Sequence, residues 1–162
     1  MSPNWIGFVV APAVAVVFGI ASGLSLGQDQ EKHKDKDHET PLGKIMEKVQ
    51  KHNIALTKAT RTPAAFKKSQ KDVEKLAKEM AQMAKEAKPL SQDYLKHAKD
   101  EPDPKKKWEE IMDSFAKLSD ELAITAAKKG ADPAAVKALY MKRVRGTCTD
   151  CHNVFRVEDN NF

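Results

Sequence analysis

Cysteine is scarce in this 162-residue chain, and aromatic residues make up only 6% of it. The two cysteines, Cys148 and Cys151, stand close together near the C-terminal end, so no second pair is present to complete a zinc site. The chain also lacks the alternation of apolar and polar residues that is typical of β-strands. The sequence therefore gives no basis for a β-sheet fold, and it leaves no cysteine for a structural disulfide if this pair is used otherwise.

The composition is that of a helical protein with a charged surface. Apolar residues make up 41% of the chain and charged residues 31%, with a formal net charge of +5. Ala, Lys, Leu, Glu and Met dominate, as in helical domains. Because the lysines alternate with Glu and Asp, they indicate a solvated helical surface rather than a nucleic-acid interface. The positive excess favours acidic partner proteins or an anionic membrane surface.

The N-terminal region is divided into an apolar leader and a charged tether. Residues 1–27 carry no charged side chain, and a strongly apolar run ends in small residues, which predicts an export signal peptide. The leader has no Lys or Arg and its apolar run is long, so an uncleaved membrane anchor is the alternative. Either reading places the following domain outside the cytoplasm, in the periplasm. Residues 28–39 lack apolar side chains and predict a disordered tether.

Four helix starts share one signature, a capping residue followed by proline at the first helical position. They are Thr40-Pro41, Thr62-Pro63, Asp103-Pro104 and Asp132-Pro133. Apolar residues at a spacing of seven follow the first three starts. They are Leu42, Val49 and Leu56, then Phe66, Val73, Met80 and Ala87, then Trp108, Phe115 and Leu122. The pattern predicts an all-α fold, an antiparallel up-down-up-down four-helix bundle over residues 40–157 with a frayed tail at 158–162.

The last predicted helix contains the sequence Cys148-Thr149-Asp150-Cys151-His152. Cys-x-x-Cys-His is the attachment signature for a c-type haem, in which two thiols bind the porphyrin vinyl groups and the imidazole ligates the iron. On a helix these three side chains lie within an arc of about 100°. Half a zinc site, a thioredoxin-like redox pair and a short disulfide are the alternatives. The sequence predicts one covalent haem c per chain, in the bundle core near the end of the last helix.

A four-helix bundle with this motif in its last helix resembles the class II c-type cytochromes, the cytochrome c′ and cytochrome c-556 family. The resemblance covers about residues 40–157 and includes Phe155 and Arg156, an aromatic and a basic residue typical of that family after the haem histidine. It implies that Arg156 lies beside the proximal face of the haem. Family members often carry an arginine in the first helix near a haem propionate, but this chain has no arginine before Arg61. Dimers occur in the family, and the exposed face of the first two helices is the candidate for a homodimer interface.

The second axial position of the iron separates two functions that the resemblance offers. A methionine ligand from the first helix, for which Met46 is the candidate, gives a six-coordinate electron carrier with a raised potential. His52 is the alternative distal ligand. If an apolar residue covers the iron instead, the haem is five-coordinate and binds NO or CO. Val49 and Tyr140 are further candidates for the haem pocket.

The function expected from the sequence is one-electron transfer by an exported monohaem cytochrome, with redox proteins as partners and no role for nucleic acid. An enzymatic activity is not expected, because no nucleophile–base pair or carboxylate pair converges in the sequence. Gas binding at a five-coordinate haem is the second hypothesis. A haem-free helical bundle with a Cys148–Cys151 disulfide or a shared metal is the third.

Overall fold

The computed structural model describes residues 40–92, 94–98 and 100–156, which belong to one compact unit. Helices are the only regular elements in these ranges, and no strand is found within them. None of the helices so described is long and apolar enough to cross a membrane. The predicted leader, the tether and the tail at 158–162 lie outside the described residues. The prediction of an all-α domain with four main helices is confirmed.

The first three main helices are α1 (Pro41–Ala59), α2 (Pro63–Ala87) and α3 (Pro104–Ala127). The fourth helical segment has three parts, which are α4 (Pro133–Ala138), a π-helical turn (Leu139–Val144) and α5 (Arg145–Phe155). Two short 3-10 helices, Lys88–Leu90 and Leu95–His97, lie in the connection between α2 and α3.

Each main helix begins where the capping signature predicts. The side-chain oxygens of Thr40, Thr62, Asp103 and Asp132 accept hydrogen bonds of 2.9 to 3.2 Å from backbone N–H groups of the first turn. Such a cap stabilises a helix by about 1 kcal/mol, because those N–H groups have no partner within the helix. Past the end of α3, Gly130 has a φ of 74°, which glycine adopts without steric cost.

Two local departures from α-helical geometry were not predicted. Within α2, Ser69 has φ −114° and ψ 20°, which are not helical values. In the fourth segment the π-helical turn over Leu139–Val144 widens the helix just before the cysteine motif. Such turns occur frequently at functional sites, because they change the register of the side chains on either side.

Apolar side chains form two buried clusters, and every residue of the predicted seams named above is buried. The first cluster joins α2, α3 and the fourth segment, and it includes Val49 and Leu56 of α1. The second cluster consists of Leu42, Ala87, Ala98, Trp108, Ile111, Met112 and Phe155. Met46 and Cys151 are partly buried and pack against this second cluster. The second cluster therefore joins the beginning of α1 to the end of α5, where the cysteine motif lies.

Polar contacts fix how α2 lies along α3, its main packing partner. Near the beginning of α2, Gln70 Nε2 donates to the carbonyl oxygens of Ala126 and Lys128 at 2.7 and 2.9 Å. Just after the end of α2, the carbonyl oxygen of Lys88 accepts a hydrogen bond from Trp108 Nε1 at 2.9 Å. The beginning of each of these two helices is thus tied to the end of the other.

Candidate functional site

The cysteine motif lies on α5, where its three reactive side chains differ in burial. Cys148 and Cys151 are free thiols and are half-buried, whereas His152 is exposed. Cys148 and His152 line a cleft, and Cys151 packs against the second apolar cluster. One turn of helix therefore borders both an open space and an apolar surface.

The cleft separates α5 from α1 and has a volume of about 470 Å³. It is lined by Gln50, Asn53, Met141, Arg145, Gly146, Cys148, Thr149, His152 and Asn153. Its size falls within the usual range for small-molecule sites, roughly 300–1,000 Å³. Most of its lining residues are exposed, so the cleft opens to solvent.

The wall of the cleft that faces the motif is one face of α1. Met46, Gln50 and Asn53 are spaced i, i+4 and i+7, which places them on the same side of the helix. Gln50 and Asn53 line the cleft, and Met46 continues that face into the second cluster. Val49 is buried in the first cluster, on the part of α1 that adjoins this face.

His52 and Tyr140, two other sequence candidates, have partners elsewhere. His52 Nε2 lies 2.6 Å from Oε2 of Glu79 on α2, and His52 is not among the residues that line the cleft. Tyr140 is fully buried in the first cluster, and its hydroxyl is hydrogen-bonded to Asn53 and Thr57 of α1. Tyr140 thus ties the fourth segment to α1 behind the cleft and fixes the position of Asn53.

Burial favours the neutral forms of the three reactive side chains of the motif, the two thiols and the imidazole. Burial raises the pKa of the Cys148 thiol, and Arg145 opposes this effect. Burial, with smaller contributions from Cys148 and Asp150, raises the pKa of Cys151 to about 12. The pKa of His152 is lowered, mainly by partial desolvation and to a smaller extent by the positive charge of Arg156. The neutral imidazole is the form that binds a metal, and the lowered pKa favours that form.

The two residues that follow the motif end α5. Phe155 is buried and packs edge-on against Trp108, with ring centroids 5.2 Å apart. Arg156 is exposed, and its backbone N–H donates to the carbonyl oxygen of His152 at 3.2 Å. Phe155 anchors α5 in the second cluster, and Arg156 places a positive charge near the histidine.

Six residues that line the cleft outside the motif were not candidates from the sequence, namely Gln50, Asn53, Met141, Arg145, Gly146 and Asn153. The helical period could have found Gln50 and Asn53, because they share a face with Met46. Met141 lies within the π-helical turn and Arg145 directly follows it, and the seven-residue spacing does not reveal the change of register there.

Two unpaired thiols and one imidazole lie on consecutive turns of a helix, beside both a cleft and an apolar cluster. These residues are compatible with a covalently attached haem on α5, with two thioether bonds and one protein ligand to iron. The chain matches no protein-family model, and comparison with curated proteins and with solved structures gives no match either.

Proposed function

We propose that this protein is an exported monohaem c-type cytochrome that transfers single electrons, with the architecture of the class II family. The observation that carries the proposal is the position of the Cys148-x-x-Cys151-His152 motif. It stands on the wall of a cleft whose opposite wall is the first helix. The first helix is the element from which the resembled family takes its second iron ligand.

Residues of this chain would hold the haem and form its surroundings. Cys148 and Cys151 supply the two thiols for attachment, and His152 supplies a neutral imidazole as the proximal ligand. The second cluster, anchored by Trp108 and Phe155, supplies an apolar surface that excludes water on the Cys151 side. When bound, haem supplies the one-electron redox chemistry.

Met46 is the favoured second ligand. Its thioether is soft and neutral, it lies on the face of α1 that turns toward the cleft, and it packs against the same cluster as Cys151. His52 is less favoured, because its ring nitrogen is already paired with Glu79 on the side of α2. If Met46 and His152 both bound the iron, the haem would be six-coordinate and its reduction potential would be raised.

Gas binding is the second candidate function, and one observation favours it. Met46 packs in the second cluster and is not among the residues that line the cleft. If its thioether stays there after haem attachment, the distal position is open and the haem binds NO or CO. Val49, buried next to this face of α1, would then contribute to the apolar covering of the site.

We infer that the four helices run up-down-up-down. The head-to-tail contacts of Gln70 with Ala126 and of Trp108 with Lys88 support an antiparallel pair of α2 and α3. On α1, the pairing of His52 with Glu79 and of Thr40 with Tyr94 supports an antiparallel pair of α1 and α2. In this arrangement α1 and α5 are the neighbours that the haem would separate.

The location and the partners follow from charge and from the leader. Residues 1–27 would direct the chain to the periplasm as a signal peptide, or keep it there as an anchor. The fourth helical segment carries Lys137, Lys142, Arg143 and Arg145 against one acidic residue, Asp150, and Arg156 directly follows it. A basic surface beside the redox centre would favour an acidic redox partner.

Absorption spectra of the oxidised and reduced protein, made with cytochrome c maturation factors, test the proposal. An electron carrier is expected to show a low-spin six-coordinate haem that changes little when CO is added to the reduced form. A rapid and complete change with CO identifies the gas-binding protein instead. A protein without any haem absorption contradicts both functions.

A further inference from the structure

One end of the helical domain carries a concentration of positive charge, and we call this end the basic pole. Residues 58–72, which contain the turn between α1 and α2, and residues 124–137, which contain the turn between α3 and α4, form it. Acidic residues are few in these ranges, namely Asp72 and Asp132. The first range includes five cations, Lys58, Arg61, Lys67, Lys68 and Lys71. The second range includes three more, Lys128, Lys129 and Lys137. The eight cations therefore exceed the two acidic residues by more than the +5 of the whole chain.

Hydrogen bonds between the two ranges show that they adjoin. Gln70 Nε2 donates to the carbonyl oxygens of Ala126 and Lys128. Lys137 Nζ donates to the carbonyl oxygen of Arg61 at 3.2 Å. The second apolar cluster lies at the other end of the domain, because it joins the beginnings of α1 and α3 to the end of α5. The basic pole is therefore separate from the candidate haem site.

The charges of the basic pole are not compensated by ion pairs within the described structure. All eight basic side chains are exposed, and none of them takes part in an ion pair with a described residue. The ion pairs that the described residues do form, such as that of Lys85 with Asp120, lie outside the two ranges. Asp132 uses its carboxylate to cap α4. Like charges gathered in this way repel one another, so they do not stabilise the fold.

Helix stability explains only part of this arrangement. Lys58 lies in the last turn of α1, where a cation interacts favourably with the helix dipole. Lys67 and Lys68 lie near the beginning of α2, where the dipole offers a cation no such benefit. Their positions therefore favour a role in binding rather than in folding.

An exposed aliphatic side chain lies beside these cations. Ile124 is 64% exposed and stands one turn before Lys128 on α3, so the two side chains lie on the same side of the helix. Seven of the eight cations are lysines, which carry point charges on flexible side chains, whereas the planar fork of arginine suits a single carboxylate. Dispersed lysines with an adjacent aliphatic residue suit a layer of phosphate head groups above an apolar interior.

We propose that the basic pole binds the surface of a membrane that contains anionic phospholipids. Each basic residue close to such a surface strengthens binding about fivefold, and clusters of about four to eight are typical of sites for anionic lipids. The cysteine motif would then face away from the membrane and stay accessible to a partner protein. The inference does not depend on haem, so its failure would leave the proposed function untouched.

Amine footprinting of the full-length protein on lipid vesicles tests this proposal. One set of vesicles contains phosphatidylglycerol and phosphatidylcholine, the other contains phosphatidylcholine alone, and mass spectrometry gives the acetylation rate of each lysine. Insertion of the leader would not affect the comparison, because both sets offer an apolar interior. Acetylation of Lys67 and Lys68 is expected to be several-fold slower on the anionic vesicles, and that of Lys105 and Lys106 to be unchanged. High salt should abolish the difference, since it screens the attraction.

Matched variants locate the binding surface. Lys128→Gln/Lys129→Gln removes two exposed charges from the basic pole, and Lys105→Gln/Lys106→Gln removes two exposed charges from the opposite end of α3. The first variant should bind the anionic surface about 25-fold more weakly, so the lysines at the beginning of α2 lose their protection. The second variant should keep that protection. Far-UV circular dichroism shows whether each variant is folded.

Equal acetylation rates of the basic pole on anionic and neutral vesicles would overturn the proposal, and so would an equal loss of protection in the two folded variants. Polyglutamate serves as a soluble acidic competitor in the same assay. If polyglutamate protects the basic pole and anionic vesicles do not, the surface binds an acidic protein, and the assignment to a membrane is wrong.

Discussion

Met46 on α1 and Cys151 on α5 pack against the same apolar cluster, although one lies near the beginning of the described chain and the other near its end. The cluster also contains Trp108 and Phe155, which meet edge to face. This cluster therefore links the helix that carries the candidate distal ligand to the helix that carries one attachment thiol.

The first prediction concerns Met46. In haem-loaded protein, Met46→Ala is expected to convert a site that resists CO into one that binds it completely, because the thioether no longer occupies the distal position. The reduced spectrum before and after CO addition gives the result. Met112→Ala is the matched control, since Met112 belongs to the same cluster on α3. It should lose about 2–5 kcal/mol of stability without gaining CO binding. Equal CO responses in the two variants would show that Met46 does not ligate the iron.

For His52, in contrast to Met46, we expect that substitution leaves the haem unchanged. Because its ring nitrogen pairs with Glu79, His52→Gln should leave the absorption spectrum and the reduction potential of the haem-loaded protein unchanged. The pair is partly exposed, so the loss of stability should not exceed about 1 kcal/mol. Loss of the low-spin spectrum in His52→Gln would show that this histidine, not Met46, ligates the iron.

The sequence predicted much of this fold because its strongest signals are local. Thr40, Thr62, Asp103 and Asp132 each cap a helix that starts at the following proline, and proline fixes φ in the helical range. The seven-residue seams were buried as predicted, because a helix must bury its apolar stripe against its neighbours.

The parts that the sequence did not reveal depend on tertiary context. Nothing in residues 139–144 distinguishes a π-helical turn from an α-helical one, because intrinsic propensities do not separate the two hydrogen-bond patterns. For the same reason the cleft-lining positions of Met141 and Arg145 were not predicted. The open cleft between α1 and α5 depends on how the helices pack, and the spacing of residues does not specify it.

Ser119 provides a test of the core itself. Its side chain is fully buried on α3, and its hydroxyl has no hydrogen-bond partner within the described structure. A buried polar group left unsatisfied costs about 1–3 kcal/mol, so Ser119→Ala should stabilise the protein by about 1 kcal/mol or more in urea unfolding. Ser114→Ala, at an exposed position of the same helix, controls for helix propensity and should gain no more than about 0.5 kcal/mol. Destabilisation by Ser119→Ala would show that the hydroxyl has a partner after all.

The thiols of the haem-free chain should be unreactive. Burial raises the pKa of Cys151 from 9.0 to about 12, so its reactive thiolate is rarer at neutral pH by about three orders of magnitude. Alkylation by iodoacetamide at pH 7 is expected to be far slower in folded haem-free protein than in the same chain in urea, and Cys151 should react more slowly than Cys148. Equal rates in the folded and unfolded chains would contradict this burial.

The raised pKa of Cys151 also determines how the stability of the haem-free protein depends on pH. The folded state binds the Cys151 proton more tightly than the unfolded state. The protonated thiol therefore makes its full contribution to the free energy of unfolding below about pH 9. The free energy of unfolding of the haem-free protein should then fall as the pH rises from 9 toward 12. Cys151→Ser removes this group, and urea unfolding at several pH values should show a smaller decline in that variant.

The most direct test is the intact mass of the denatured protein after production with cytochrome c maturation factors. We predict the mass of the polypeptide plus one haem for the wild type, and the mass of the polypeptide alone for the Cys148→Ala/Cys151→Ala variant. A wild-type chain that is folded and helical but carries no added haem mass would contradict the proposal that Cys148 and Cys151 attach the cofactor.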